Sequence, residues 1–149
     1  MRVVVQRASK ASILIDNKET RNIDKGLVVL LGITKDDNEN DIDYIIKKIT
    51  NLRIFEDENE KMNYSVKDIN GGLMIVSQFT LYADTRKGNR PYFGEAISFD
   101  DAKIIYDEFI KKLSKEDVPF KTGEFGSIMN ITFTNDGPVT IIIDSKNNI

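Results

Sequence analysis

The chain has 149 residues, 40% of them apolar and 30% charged, enough for one domain with its own core and too few for two ordinary ones, so residues 1–149 are read as a single domain. The net charge of −3 excludes a broad basic coat for DNA or duplex RNA, yet leaves room for a small basic lip that takes one end of a strand. There is no Cys and no His, which removes disulfides, thiolate nucleophiles, imidazole bases and Cys/His zinc sites.

The N-terminus opens directly on β-branched runs, Met1 to Gln6 and Ala11 to Ile15, the second ending at the turn-forming pair Asp16-Asn17. It lacks the long apolar run of a signal peptide. The longest apolar stretch, Leu27-Val28-Val29-Leu30-Leu31, is too short to span a bilayer. A cytoplasmic protein with no membrane partner is therefore expected. Gly26 to Ile33 is apolar on both faces and predicts a central strand. Asn38 to Leu52 predicts a helix, capped by Asn38 or Asn40, with Ile42, Ile45, Ile46, Ile49 and Leu52 on one face.

Leu52 to Phe55 reads as a short strand or helix exit, and Glu56 to Glu60 as a solvated acidic connection. Gly71-Gly72 then breaks into a buried strand, Leu73 to Val76, which delivers Ser77-Gln78-Phe79-Thr80. A second helix starts at Ser98, with Asp101 three residues on as a capping-box variant. Its stripe is Ala102, Ile105, Tyr106, Phe109, Ile110 and Leu113. Ile128 to Phe133 and Val139 to Ile143 read as strands again. Two helices among roughly six to eight strands predict a mixed α/β domain with largely antiparallel sheet.

Three segments carry chemistry. Ser77-Gln78-Phe79-Thr80-Leu81 sits at a strand end, where rigid backbone presents hydroxyls, an amide and a stacking ring to a cleft. The same hydroxyls would equally satisfy neighbouring backbone, and they are weak nucleophiles without a base. Asp84 to Pro91 places Arg86, Lys87 and Arg90 in one polar loop beside Tyr82, Tyr92 and Phe93. Such a cluster suits one or two phosphates of a single-stranded end, or is simply a solvated loop. Asn135-Asp136-Gly137-Pro138, between two β-branched runs, reads as a hairpin or turn.

Taken together, Ser77 to Leu81, Tyr82 to Pro91 and Asn135 to Thr140 resemble D-aminoacyl-tRNA deacylase (the D-tyrosyl-tRNA deacylase family). Support comes from Val5 to Ser9, from Leu52 to Glu58 with Lys61-Met62-Asn63, and from Gly123 to Gly126 with Met129. The resemblance spans essentially the whole chain. Tyr92, after Arg90-Pro91, departs from it, because the family usually has a small Ser there.

The resemblance implies a barrel-like core with two main helices, and hydrolysis of the ester joining a D-amino acid to the 3′-terminal adenosine of tRNA. It also implies a homodimer with active sites at the interface. Ser77, Gln78, Phe79 and Thr80 would form the catalytic floor. Gly137 and Pro138, joined by a cis bond, would reach the partner's pocket and reject L-aminoacyl groups, with Arg7 holding that motif. Met129, Arg86, Lys87 and Arg90 complete the expected substrate contacts. No metal and no cofactor is expected, since an aminoacyl ester is already activated and needs mainly positioning and oxyanion stabilisation. Glycyl-tRNA, lacking a side chain to exclude, is expected as a further substrate. Thr80 as a covalent nucleophile, a general esterase, and a non-catalytic RNA-end or protein-interaction module remain the alternatives.

Overall fold

The computed structural model describes residues 1–94 and 97–147. In chain order they form β1 (Arg2–Ile15), β2 (Glu19–Ile23), β3 (Gly26–Gly32), α1 (Glu39–Asn51), β4 (Phe55–Glu56) and β5 (Met62–Tyr64). There follow β6 (Gly72–Ser77), a 3₁₀ turn (Phe79–Tyr82), α2 (Phe99–Leu113), β7 (Phe120–Thr122) and β8 (Met129–Asp144). The main sheet runs β2-β1-β3-β6-β7, with β8 also paired to β1. Strand β1 is antiparallel to β2, β3 and β8, whereas β3–β6 and β6–β7 are parallel. Three of these five pairings are antiparallel, so the sheet is mixed and largely antiparallel, with its parallel pairs confined to the β3-β6-β7 side.

The two β runs expected at the N-terminus are one strand. No turn former separates Gln6 from Ala11, and register shifts around Ala8 let the strand bend instead. Its first half pairs with β3 and its second with β2, while β8 follows both. Asp16 and Asn17 make the turn to β2 with φ of 47° and 55°, the left-handed region that Asn and Asp tolerate. The bend curls the sheet toward a barrel. Arg21 helps to close it, donating from Nη1 to the Thr122 carbonyl at 2.8 Å across the β2–β7 gap.

The curl gives the molecule two apolar layers. Val3, Val5, Leu27, Val29, Leu31, Leu73 and Ile75 face the two helices. Residues of opposite parity, Val28, Met74 and Val76, face Ile13, Met129, Ile131 and Phe133 inside the curl. Helix α1 carries the expected cap: Asn38 Oδ1 accepts from the Asn40 amide at 3.0 Å, and Asp41 Oδ2 accepts from the Asn38 amide at 2.9 Å. Helix α2 is capped by Ser98, which accepts from the Asp101 amide. It buries Tyr106, Phe109 and Leu113.

Two further expectations are corrected. Asn135 to Pro138 is not a hairpin: β8 runs through it on the same neighbour, and the extra residues form a bulge opposite Gln6 to Ala8. Asn135 bridges that bulge, accepting from the Val139 amide at 3.1 Å and donating to Thr140 Oγ1 at 3.0 Å. The acidic run is also more than a solvated connection. Glu56 pairs with buried Arg7, Asp57 accepts from the Asn59 and Lys61 amides, and Glu58 accepts from the Tyr64 hydroxyl.

Candidate active site

Buried strand β6 stops at Ser77 because its parallel neighbour β3 ends there in register, Leu31 opposite Ser77. The chain then turns over Phe79–Tyr82. Ser77 and Gln78 are half-buried, whereas Phe79 and Thr80 are exposed. As in any short helical turn, the first amides have no acceptor behind them. Among the described residues the amides of Phe79 and Thr80 donate to no main-chain or side-chain oxygen. Gln78 Nε2 donates to the Thr80 hydroxyl.

No carboxylate or lysine bonds to the Ser77 or Thr80 hydroxyl among the described residues. The one partner of Thr80 is an amide, which is no base at neutral pH with either end turned inward. Tyr82, the last residue of the turn, is held neutral: burial, with Asp37 and Asp144 nearby, pushes its phenol well above its ordinary value. The turn therefore offers main-chain donors and positioned hydroxyls rather than an activated nucleophile.

Ser77, Gln78 and Phe79 form one side of a cavity of about 540 Å³. Met129 and Ile131, from the start of β8, reach it across the curl, and Phe99, Ala102 and Phe125 close the far wall. Phe99 is an aromatic at the first turn of α2, one turn before Ala102 on the same face as Tyr106 and Phe109. The signal that marks it is that the apolar spacing of α2 runs back one turn beyond Ala102 to reach it. Phe125 holds it at 5.0 Å between ring centroids. Gly126 has φ of +82°, and a Cβ there would come within 2.8 Å of the Phe99 ring.

Of the residues expected at the site, the structure brings Ser77, Gln78, Phe79 and Met129 to one cavity, with Thr80 at its rim. Gly137 and Pro138 are elsewhere in the same chain. Their bulge lies on the sheet row of Arg7, Leu27 and Leu73, while Ser77 lies on the row of Val3 and Leu31. Along the sheet the separation is roughly 13 Å of strand rise and roughly 14 Å of strand spacing. The Gly137–Pro138 bond is cis and Gly137 has φ of +125°. Arg7, 3% exposed, donates to the Asp136 carbonyl at 3.0 Å, to the Ile54 carbonyl at 2.7 Å and to both Glu56 oxygens.

The basic loop forms a second hollow, lined by Asp84, Arg86, Lys87 and Tyr92. Arg86 grips Asp84 through Nε at 2.9 Å and Nη2 at 2.7 Å. That contact is the main cause holding the Asp84 carboxyl down at about 2. Arg86 is therefore committed to Asp84 in part, leaving Lys87 and Arg90 as the more available cations. Phe93 meets Phe79 edge-on at 5.2 Å, joining the loop to the turn.

The profile of the family described as D-Tyr-tRNA(Tyr) deacylase matches residues 4–144. The chain belongs to this family. It is 57% identical over 146 residues to the D-aminoacyl-tRNA deacylase of Finegoldia magna, covering 98% of this chain and 99% of that one. It is 52% identical to the D-aminoacyl-tRNA deacylase of Thermosipho africanus, with 98% of each chain covered. Among solved structures it is similar to one named c-Myc DNA Unwinding Element Binding Protein, at TM-score 0.91 and 39% identity, over 97% of this chain and 98% of that one. A probable eukaryotic D-amino acid tRNA deacylase shares the fold at TM-score 0.81 and 17% identity, over 95% and 97% of the two chains. The resemblance read from the motifs is borne out, as is the mixed α/β barrel-like fold with two helices. The chain is an enzyme of the deacylase family.

Proposed function

We propose that this protein hydrolyses the ester of D-aminoacyl-tRNA in the cytoplasm, releasing free tRNA and the D-amino acid. The observation that carries the reading is the cavity at the end of β6: a turn whose two leading main-chain amides are unengaged and whose hydroxyls no base contacts among the described residues, and a volume within the usual range for small-ligand sites. In this reading Ser77, Gln78 and Phe79 seat the terminal adenosine, with Phe79 available for stacking. The amides of Phe79 and Thr80 stabilise the oxyanion as water attacks the ester carbonyl, and the vicinal 2′-hydroxyl of the ribose assists the water. Thr80 positions the ribose and does not attack. Arg86, Lys87 and Arg90 steer the acceptor end.

Chiral selection is assigned to Gly137-Pro138 of a second copy of the chain, so the working unit is a homodimer with a site at each interface. Two facts support this. The motif is too far along the sheet from Ser77 to line its own chain's cavity, and Arg7 braces it as a rigid main-chain projection. Rigid main chain in the L direction excludes every L side chain, while D side chains enter open space. Glycine offers nothing to exclude, so glycyl-tRNA is also cleaved. The acidic balance of the chain favours an RNA end over a DNA duplex as partner.

The test is deacylation of one tRNA charged with a D-amino acid, its L enantiomer, or glycine. Release from the D and glycyl esters with the L ester untouched is expected. Equal rates on D and L, or hydrolysis of simple esters lacking a ribose, would replace this reading with a general esterase.

A further inference from the structure

The loop between the turn and α2 is built as a small clasp. Asp84 and Tyr92 form an isolated antiparallel bridge, the Asp84 amide donating to the Tyr92 carbonyl at 2.7 Å and the Tyr92 amide to the Asp84 carbonyl at 2.9 Å. Residues exchanging both bonds across such a bridge present their side chains on one face. Tyr92 therefore stands on the same side as Asp84 and the Arg86 guanidinium that Asp84 holds. With Lys87 they line one hollow of about 700 Å³. Successive side chains alternate along an extended strand, so Phe93 turns the other way and meets Phe79 at the ester site. The clasp thus sets its hollow beside the cavity of the terminal adenosine.

Tyr92 is 65% exposed and makes no hydrogen bond through its hydroxyl among the described residues. The ring lies against Gly94, whose missing Cβ makes room for it, and leaves most of its surface open to solvent. Around it the local charge is positive: the Asp84 carboxylate is answered by Arg86, and Lys87 and Arg90 add two cations against a chain that is acidic overall. A flat ring beside cations is the pairing that takes a base on its face and a phosphate on its flank.

We infer that Tyr92, with Lys87 and Arg86, forms a stacking subsite for the nucleotide immediately 5′ of the terminal adenosine of the bound RNA. This rests on the deacylase reading and extends it to a second nucleotide. Because every base has a face to stack, the subsite grips the strand without reading its sequence. It contributes to binding and takes no part in the ester chemistry.

The experiment compares wild type, Tyr92→Ala and Tyr92→Trp on D-aminoacyl-tRNA and on a D-aminoacyl-adenosine, which carries the ester but no 5′ nucleotide. For Tyr92→Ala, KM for the tRNA rises about 5- to 100-fold with kcat unchanged, the range that loss of one stacked base produces. The adenosine ester is cleaved as by wild type, and Tyr92→Trp restores the tRNA KM. An equal change on both substrates, or none on the tRNA, overturns the subsite. If wild type cleaves neither substrate, the deacylase reading fails by itself. Affinity for an uncharged single-stranded trinucleotide ending in adenosine then decides the subsite independently: it must exceed that for adenosine and fall to the adenosine value in Tyr92→Ala. Affinity unaffected by Tyr92→Ala sinks the inference.

Discussion

Arg2 Nη1 donates to the Leu81 carbonyl at 3.0 Å. The same guanidinium is held through Nε by Asp144 at 2.9 Å and lies over the Tyr82 ring at 5.0 Å. The first strand, the last strand and the turn of the candidate site are therefore joined at one side chain. Arg2→Ala removes the clamp on the turn and takes from the buried Asp144 carboxylate its cation at Oδ2, leaving it the Lys146 and Asn147 amides at Oδ1. We expect a stability loss of about 1–3 kcal/mol and a fall in kcat larger than any change in KM. Arg2→Lys keeps the charge but not the fork, so it should recover stability better than kcat. Recovery of both in step would mean that Arg2 only stabilises the fold.

Arg7 and Glu56 set part of the acid response. The Arg7 hydrogen bond is the largest cause holding the Glu56 carboxyl below its ordinary value of 4.5. A carboxyl lowered on folding stabilises the native state above its unfolded pKa, and that contribution disappears as pH falls through the lowered value. Wild type should thus lose urea resistance as pH drops below about 4.5, and Glu56→Gln should lose less over the same interval. Parallel pH curves for the two proteins would show that the pair does not contribute.

Gly137 cannot take a side chain cheaply. Its φ is +125°, and a Cβ would lie 2.8 Å from Val139 Cγ2 and 3.0 Å from Arg7 Nη2. Gly137→Ala should lower stability by about 1–3 kcal/mol and reduce D-aminoacyl-tRNA cleavage under conditions where the variant is still folded. Thermal melts beside single-turnover rates separate the two effects. Wild-type rates in a fully folded variant would remove Gly137 from the site.

Thr80→Ala deletes a hydroxyl whose partner is the Gln78 amide. A positioning role predicts kcat reduced about 10- to 100-fold, the cost of a misplaced substrate, with no acyl-enzyme at any time. Mass spectrometry of wild type quenched during turnover is the check. An aminoacyl adduct on Thr80 would make the residue a nucleophile.

With neither His nor Cys in the chain, only oxygen ligands remain, and these suit Mg²⁺ or Ca²⁺ better than Zn²⁺. Deacylation by metal-stripped protein should persist in EDTA, with Mg²⁺ effects on the tRNA controlled separately. Loss of activity restored by Zn²⁺ would contradict it.

The helices were legible in the sequence because their causes are local. Asn38 and Ser98 cap them, and the 3.6-residue spacing of Ile42, Ile45, Ile46 and Ile49 or of Tyr106, Phe109 and Leu113 declares the buried face. Strands β3 and β6 announced themselves as unbroken apolar runs, since both of their faces are covered. The floor of the site was visible for the same reason, as the polar residues that end such a run. Short β2, β5 and β7 carry no comparable pattern, and only their partners make them strands.

What the tertiary structure alone decided are relationships between distant residues. One strand bends at Ala8 where two were expected, because bulges against β8 and the change of neighbour from β3 to β2 set its path, and neither is written in its own residues. That bend carries Met129 and Ile131 to the end of β6. Gly137-Pro138 looked like a turn because its residue types favour turns. It became a bulge because Asn135, Thr140 and the buried Arg7 satisfy the polar groups that a hairpin would have exposed. Local propensity names the pieces, but the burial of polar groups across the sheet determines where the pieces go.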